Sequence, residues 1–168
     1  ALSWEKAVTK QVTALMDQAV KENDYLAQSF MQWFIDEQLE EVVKICRLMW
    51  TEDEPSFQGK YFSISGASAP PLPSVVPPIC IGASGEQIGL PLVGRLADMW
   101  NGFPKGSDDD WLRKVDIVHR SAVDAGRQPS DIEISQTIEK ALPETDAQSA
   151  ELLNFLAHKA ELGVRHFV

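Results

Sequence analysis

The sequence predicts an α/β fold preceded by a pair of helices, and three observations carry that prediction. Residues 24–50 run without a glycine or proline, long enough for one helix of 27 residues and about 40 Å. From residue 79 onward, short apolar segments alternate with amphipathic ones, which is the pattern of parallel strands joined by helices. Between them, residues 66–78 hold five prolines and read as an extended, semi-rigid connector.

Composition narrows the class of partner. Hydrophobic residues make up 44% of the 168 residues and charged residues 24%, so a packed core is expected and disorder is not. A formal net charge of -10 argues against nucleic acid or an anionic membrane surface as partner, since both would repel the chain. Cys46 and Cys80 lack CxxC spacing, which points to a reducing cytoplasm. No apolar run approaches the roughly 18 residues of a membrane span, and ALSWEKAVTK does not resemble a targeting peptide.

Taken in order, residues 3–22 predict an amphipathic helix with Val8, Val12, Leu15, Met16 and Ala19 on one stripe and Glu5 in line with it. A short turn leads to the long helix, capped by Asn23-Asp24, so the two helices are expected to be antiparallel neighbours. On the second helix Leu26, Phe30, Phe34, Glu37 and Glu41 share a stripe, which sets two carboxylates on the face expected to be buried. A buried carboxylate must be paired, hydrogen-bonded, protonated or metal-bound. The alternative is that the apolar face shifts to Val42, Val43 and Ile45 and leaves the acidic cluster, with Gln38 and Glu40 beside it, in water.

Pro55 and Gly59 end the long helix, and KYFSIS alternates as a short strand. Residues 79–81 then predict a strand, 82–85 a glycine-rich turn, 86–96 a helix and 97–103 a second strand, together a βαβ unit. In the turn, Gly82-Ala83-Ser84-Gly85-Glu86, glycines allow close approach of a ligand, and N–H groups at the next helix would face an anion such as phosphate. The turn is neither GxGxxG nor a P-loop, and it misses GxSxG at its last position, so a plain structural turn remains open. Helices at 108–125 and 145–162, with strands at 132–138 and 164–168, complete the alternation of a TIM-type barrel or a doubly wound sheet.

Two resemblances sharpen this. Residues 4–42, with FMQWFIDEQLEE as the most specific part, resemble the third and fourth helices of bacterial non-haem ferritins. That resemblance implies iron ligation: Glu5, Gln38 and Glu41 match the paired iron site, and Glu37, Glu40 and Glu41 match a third iron site nearby. The Glu and Glu-x-x-His that complete the ferritin site have no counterpart here, and His119, His158 and His166 lie far downstream, so half a ligand shell is expected.

From Leu39 to Val168, the segments LEEVVKICRLMWTEDEPSFQGKYFSI, PPICIGASGE, LPLVGRLADMWNGF and AGRQPSDIE resemble, in order and spacing, the C-terminal half of the luciferase-like monooxygenase family. That family consists of (β/α) barrels using FMN or a deazaflavin for hydride transfer. The resemblance implies a partial, half TIM-type barrel after the helix pair, with the second helix continuous across a seam near residues 38–42. By that reading residues 1–41 are the ferritin-like helix pair and 42–168 the partial barrel. The resemblance also places the cofactor phosphate on Gly82, Ala83, Ser84, Gly85 and Glu86.

Three functions are therefore expected in order. The first is a flavin- or deazaflavin-dependent oxidoreductase, incomplete and inactive as an isolated chain because the strands carrying most of the family's pocket would precede Leu39. The second is an iron-binding or storage protein assembled by helix pairing between copies. The third is a designed or joined chimera without a native function. No side chain stands out as a catalytic acid, base or nucleophile, Trp100 and Trp111 read as core, and a small-molecule cofactor is the partner expected, with a homo-oligomer allowed by the unpaired strand edges.

Overall fold

The computed structural model describes residues 14–103 and 106–168, with the backbone alone for 31–36. It divides into a first unit ending at Ser74 and a second, Val75–Val168, so the boundary falls inside the proline-rich connector.

The first unit opens with helical residues 14–21 (α1) and a turn in which Asn23 adopts a positive φ of 53°, a conformation asparagine tolerates better than most residues. Helix α2, Tyr25–Thr51, follows as one unbroken element. Asp24 caps it by accepting from the Ala27 N–H at 3.0 Å, and Gln28 reaches back to donate to the Ala19 carbonyl at 3.0 Å. Beyond the helix, β1 (Phe57–Gln58) and β2 (Ser63–Ile64) form an antiparallel hairpin. The start of the first predicted helix, with Val8, Val12 and Glu5, lies outside the described residues.

The stripe predicted to be buried on α2 is not uniformly so. Leu26 is 85% exposed and Phe30 62%, whereas Glu41 is 9% and Val43 7%. Burial begins where the chain after α2 folds back on it, at the level of the hairpin. Leu26 and Phe30 have no such cover from the hairpin, so their place on the stripe does not translate into burial.

The second unit is a four-stranded parallel sheet in the order β3-β4-β5-β6, part of a (β/α) barrel: β3 (Cys80–Gly82), β4 (Met99–Gly102), β5 (Glu133–Gln136) and β6 (His166–Phe167). Helices α3 (Gly89–Leu96), α4 (Asp108–Asp124) and α5 (Asp146–Glu161) connect them in turn. Trp111, Val115, Val118 and Ala122 repeat at helical spacing on α4 and are buried against Leu90 and Val93 of α3 and Trp100 and Ile134 of the sheet. The two helices approach so closely that a Cβ on Gly94 would lie 2.5 Å from the Val118 carbonyl oxygen and 2.9 Å from the Ala122 nitrogen. Arg127 closes the C-terminal end of α3, its guanidinium donating to the carbonyls of Gly94 (2.9 Å) and Ala97 (2.7 Å).

Helix α5 is attached differently. None of its residues is fully buried. Its C-terminal turn is held to the start of α4 by Asp108, which accepts from Lys159 at 2.7 Å and pairs with the His158 ring at 2.7 Å.

Gly94→Ala should be among the most damaging single-methyl changes in the second unit, because backbone rather than a pliable side chain stands in the way. We expect a loss of about 1–3 kcal/mol, read as an earlier urea midpoint with an unchanged slope.

Candidate functional site at the C-terminal edge of the sheet

Strand alternation sorts the sheet into two faces. Trp100, Gly102, Ile134 and Gln136 point toward the helices, and Asn101, Ser135 and, just past β5, Thr137 point to the opposite face. Asn101 joins these last two: its Nδ2 donates to Thr137 Oγ1 at 3.2 Å, and its Oδ1 accepts from Ser135 Oγ at 3.2 Å. These groups sit toward the C-terminal ends of the strands, the edge at which barrels of this kind carry their chemistry. On the helix face Gln136 is 1% exposed and its Oε1 has no hydrogen-bond partner.

The loop from β3 to α3 occupies the same edge, and its shape follows from two fixed points. Trp100 Nε1 donates to the Ala83 carbonyl at 3.0 Å, and the Leu90 N–H donates to the Gly85 carbonyl at 2.9 Å. Gly89 is needed because its Cα lies against Ala83; a Cβ there would come within 2.9 Å of the Ala83 methyl. Gly82 and Gly85 are different. A Cβ would lie 3.9 Å from the Asn101 oxygen and 4.0 Å from the Gly89 nitrogen respectively, so protein neighbours do not exclude side chains and the loop face stays open.

Helix α3 begins at Gly89, three residues later than the sequence pattern predicts, and 86–88 form a turn. Pro91 and Gly89 explain the delay, since proline is favoured only in a helix's first turn and glycine disfavours its interior. As a result α3 has no side-chain cap, whereas α4 and α5 each carry a full capping box, Ser107 with Asp110 and Thr145 with Gln148. The N–H groups of Ser84, Gly85, Glu86 and Gln87 make no hydrogen bond among the described residues. Such a row of neutral donors at a helix start suits the oxygens of a phosphate.

The Glu86 side chain is engaged elsewhere. Its Oε1 accepts from Arg113 Nη2 of α4 at 2.8 Å, and Arg113 Nη1 donates to Asp110 Oδ1 at 2.7 Å. The bond from Arg113 holds the Glu86 carboxyl below its usual range, against a smaller opposing effect of burial, and the two carboxylates together raise the Arg113 value. Of the predicted cofactor residues, then, 82–86 stay together as one loop, and Glu86 contributes its backbone while its carboxylate ties the loop to α4.

The predicted metal residues fare differently. Glu5 lies outside the described residues, and Gln38 and Glu40 are half-buried on α2. Glu37 pairs with Lys60 Nζ at 3.2 Å. Glu41 accepts three backbone N–H groups of the hairpin turn, from Lys60 (2.6 Å), Tyr61 (3.0 Å) and Phe62 (2.8 Å). Gly59 lies against it, and a Cβ there would displace the carboxylate. Among the described residues no group of three or more His, Cys, Asp or Glu side chains is placed to hold a metal ion.

A cleft of about 710 Å³ lies at the opposite, N-terminal edge of the second unit among Pro78, Asp98, His119, Asp131, Glu133 and Arg165. In barrels that edge serves stability rather than catalysis. Sequence reasoning missed Asn101, Ser135, Thr137 and Arg113. Polar residues inside the apolar strands MWNG and EISQ were the available signal for the first three, while Arg113 is found only in three dimensions.

Parallel strands joined in turn by helices define the class: part of a (β/α) barrel. The chain belongs to the luciferase-like monooxygenase family, which matches residues 36–166, and a ferritin-like domain matches residues 1–51. The two matches overlap on 36–51, within α2. The chain is 43% identical over 53 residues to ferritin BfrB of Mycolicibacterium smegmatis, covering 32% of this chain and 29% of that protein. It is 31% identical over 99 residues to the F420-dependent glucose-6-phosphate dehydrogenase of Mycolicibacterium gilvum, covering 56% of this chain and 28% of that one.

Among solved structures, an F420-dependent secondary alcohol dehydrogenase in complex with an F420-acetone adduct superposes with a TM-score of 0.60 at 19% identity, over 76% of this chain and 53% of that one. A riboflavin lyase with modified FMN gives 0.52 at 16% identity, over 74% and 31%. These likenesses establish the fold. The chain spans under a third of the length of either curated relative. Among the described residues no helix is long and apolar enough to cross a membrane.

Glu41 ties the hairpin to α2 electrostatically. Burial pushes its carboxyl up, but the bonds from Phe62, Lys60 and Tyr61 together outweigh this and leave the value lowered. A lowered carboxyl contributes stability above its ordinary value near 4.5, lost as pH falls through the folded value. Hydrogen exchange should therefore show the amides of residues 60–62 losing protection under acid, and Glu41→Gln should show a roughly tenfold loss already at neutral pH; unchanged protection in the variant would rule the anchor out.

Proposed function

We propose that this chain binds a flavin or deazaflavin through its phosphate, as part of an oxidoreductase of the luciferase-like family. The observation that carries the reading is the row of open N–H donors from Ser84 to Gln87 at the uncapped start of α3. Family membership supports it, as do the F420-dependent relatives. The bound cofactor supplies hydride chemistry. This chain's part is to hold the phosphate on residues 82–86 and to present Asn101 and Thr137 alongside, with the fully buried Ser135 hydroxyl positioning Asn101 from behind. Those three side chains donate and accept hydrogen bonds without releasing a proton near neutrality, so the role proposed for the isolated chain is binding and orientation, without turnover.

Quenching of flavin fluorescence tests this directly. FMN or F420 should bind, and Gly85→Asp should weaken binding by at least about tenfold, because a carboxylate would face the phosphate; no binding at high micromolar cofactor would end the reading.

A second reading, iron binding by Glu5, Glu37, Gln38, Glu40 and Glu41, is favoured by the ferritin-like match over residues 1–51. It requires Glu37 and Glu41 to leave Lys60 and the hairpin amides. Ferrous titration in air decides it. A ferric-oxo absorbance in the parent that disappears in Glu37→Ala with Glu40→Ala would carry it, and no absorbance in the parent would reject it.

A further inference from the structure

We infer that Arg113 is a positioning residue for the phosphate loop: it acts through Glu86 and Asp110 to preorganise the donor row, without being a phosphate ligand. The inference rests on the cofactor reading above and concerns how the site is set.

Arg113 stands between two neighbouring βα loops. On one side its Nη2 and Nε contact the Glu86 carboxylate at 2.8 and 3.3 Å, and Glu86 carries one of the four open N–H groups. On the other, Nη1 contacts Asp110 Oδ1 at 2.7 Å. Asp110 is itself fixed: its Oδ2 accepts from the Ser107 N–H at 3.0 Å and the Ser107 hydroxyl at 3.1 Å, closing the α4 capping box. Gly106, at φ 98°, allows this approach, because a Cβ there would come within 2.7 Å of Asp110 Oδ2. A continuous chain of contacts therefore runs from the N-terminus of α4 through Asp110 and Arg113 to Glu86.

The donor loop needs such a tie. Its segment 86–88 is a turn rather than helix, and α3 has no side-chain cap to fix it. Trp100 holds the Ala83 carbonyl on the β3 side of Glu86, and the Leu90 N–H, from within α3, closes on the Gly85 carbonyl across the 86–88 turn, but neither bond touches Glu86 itself. Between Gly85 and the start of α3, Ile88 is tied through its carbonyl to the Leu92 N–H at 3.2 Å, and Glu86 is tied through its side chain to the Arg113 guanidinium. The planar fork of arginine suits the task, since it fixes two carboxylates at a set separation.

The alternative is that Arg113 is a phosphate ligand held back by Glu86, and the two readings predict opposite signs. Side-chain exposures of 51% for Arg113, 38% for Glu86 and 36% for Asp110 mean that this network adds little to global stability. The variants should therefore fold with nearly unchanged thermal midpoints.

The test compares dissociation constants of FMN and F420 with those of their phosphate-free counterparts, riboflavin and the dephosphorylated deazaflavin, by fluorescence titration of the whole chain. Glu86→Gln and Arg113→Ala should each weaken the phosphate-bearing ligand by roughly three- to tenfold, leave the phosphate-free one unchanged, and not add when combined. Arg113→Lys, which keeps one ionic contact, should recover part of the loss. Tighter phosphate binding in Glu86→Gln, or an equal loss for both ligand forms, overturns the inference while leaving the cofactor reading in place. No binding of either phosphate-bearing ligand by the parent chain removes both.

Discussion

The second unit depends on one indole. Trp100 is buried at 1% exposure in the middle of β4, stacked on Trp111 of α4 with ring centroids 4.9 Å apart and planes 17° from parallel. Its N–H reaches forward to the Ala83 carbonyl, and the Trp111 N–H reaches the Leu162 carbonyl at 3.3 Å. Two stacked rings thus join the β3–α3 loop, strand β4, helix α4 and the end of α5. Gly102 is the consequence two residues on, where a side chain would occupy the space of the Trp111 ring. The core and the donor loop are thereby tied to the same contact, so packing adds its constraint to the one that Gly89 and Pro91 impose locally.

The first unit shows which of the partners open to a buried carboxylate Glu41 takes. Glu41 sits where a ferritin-like segment would place a metal ligand, yet in this fold its two oxygens accept three amides of the β1–β2 turn. A buried carboxylate needs partners, and backbone N–H groups satisfy it as well as a cation does. The turn gains as much as the side chain, because its amides would otherwise lack acceptors. The overlap of two family matches on residues 36–51 is accommodated in the same way. One unbroken helix carries both, and the hairpin that follows supplies the partners for its acidic residues.

Much of this was legible in the sequence. The long helix and its Asp24 cap follow from the absence of breakers, and α4 follows from its Trp111-Val115-Val118-Ala122 stripe. The parallel order of strands follows from alternation with helices. The exposure of Leu26 and Phe30 was not legible, because periodicity shows which residues share a face but not what covers it. Nor was the Glu86–Arg113 pair, whose partners are 27 residues apart and meet only once α3 and α4 have packed. Residues 82–86 were found as a loop from their glycines, while their engagement by Trp100 and Arg113 depends on tertiary contacts.

The late start of α3 is where local propensity and site chemistry coincide. Had the helix begun at Glu86, the amides of 86–88 would have formed its first turn, open but pointing along the axis. Gly89 and Pro91 shift the start three residues on, and the same amides belong instead to a turn bounded by Ala83 and Gly89 in contact. A capping side chain in this turn would satisfy the donors internally, as Ser107 and Thr145 do for α4 and α5. Its absence leaves the demand for an acceptor unmet within the described chain. Ser84, Gly85 and Gln87 are exposed and Glu86 is half-buried, so water can satisfy these donors and a phosphate oxygen could take its place. The residues that weaken α3 as a helix are therefore those that turn residues 86–88 into a loop at its entrance.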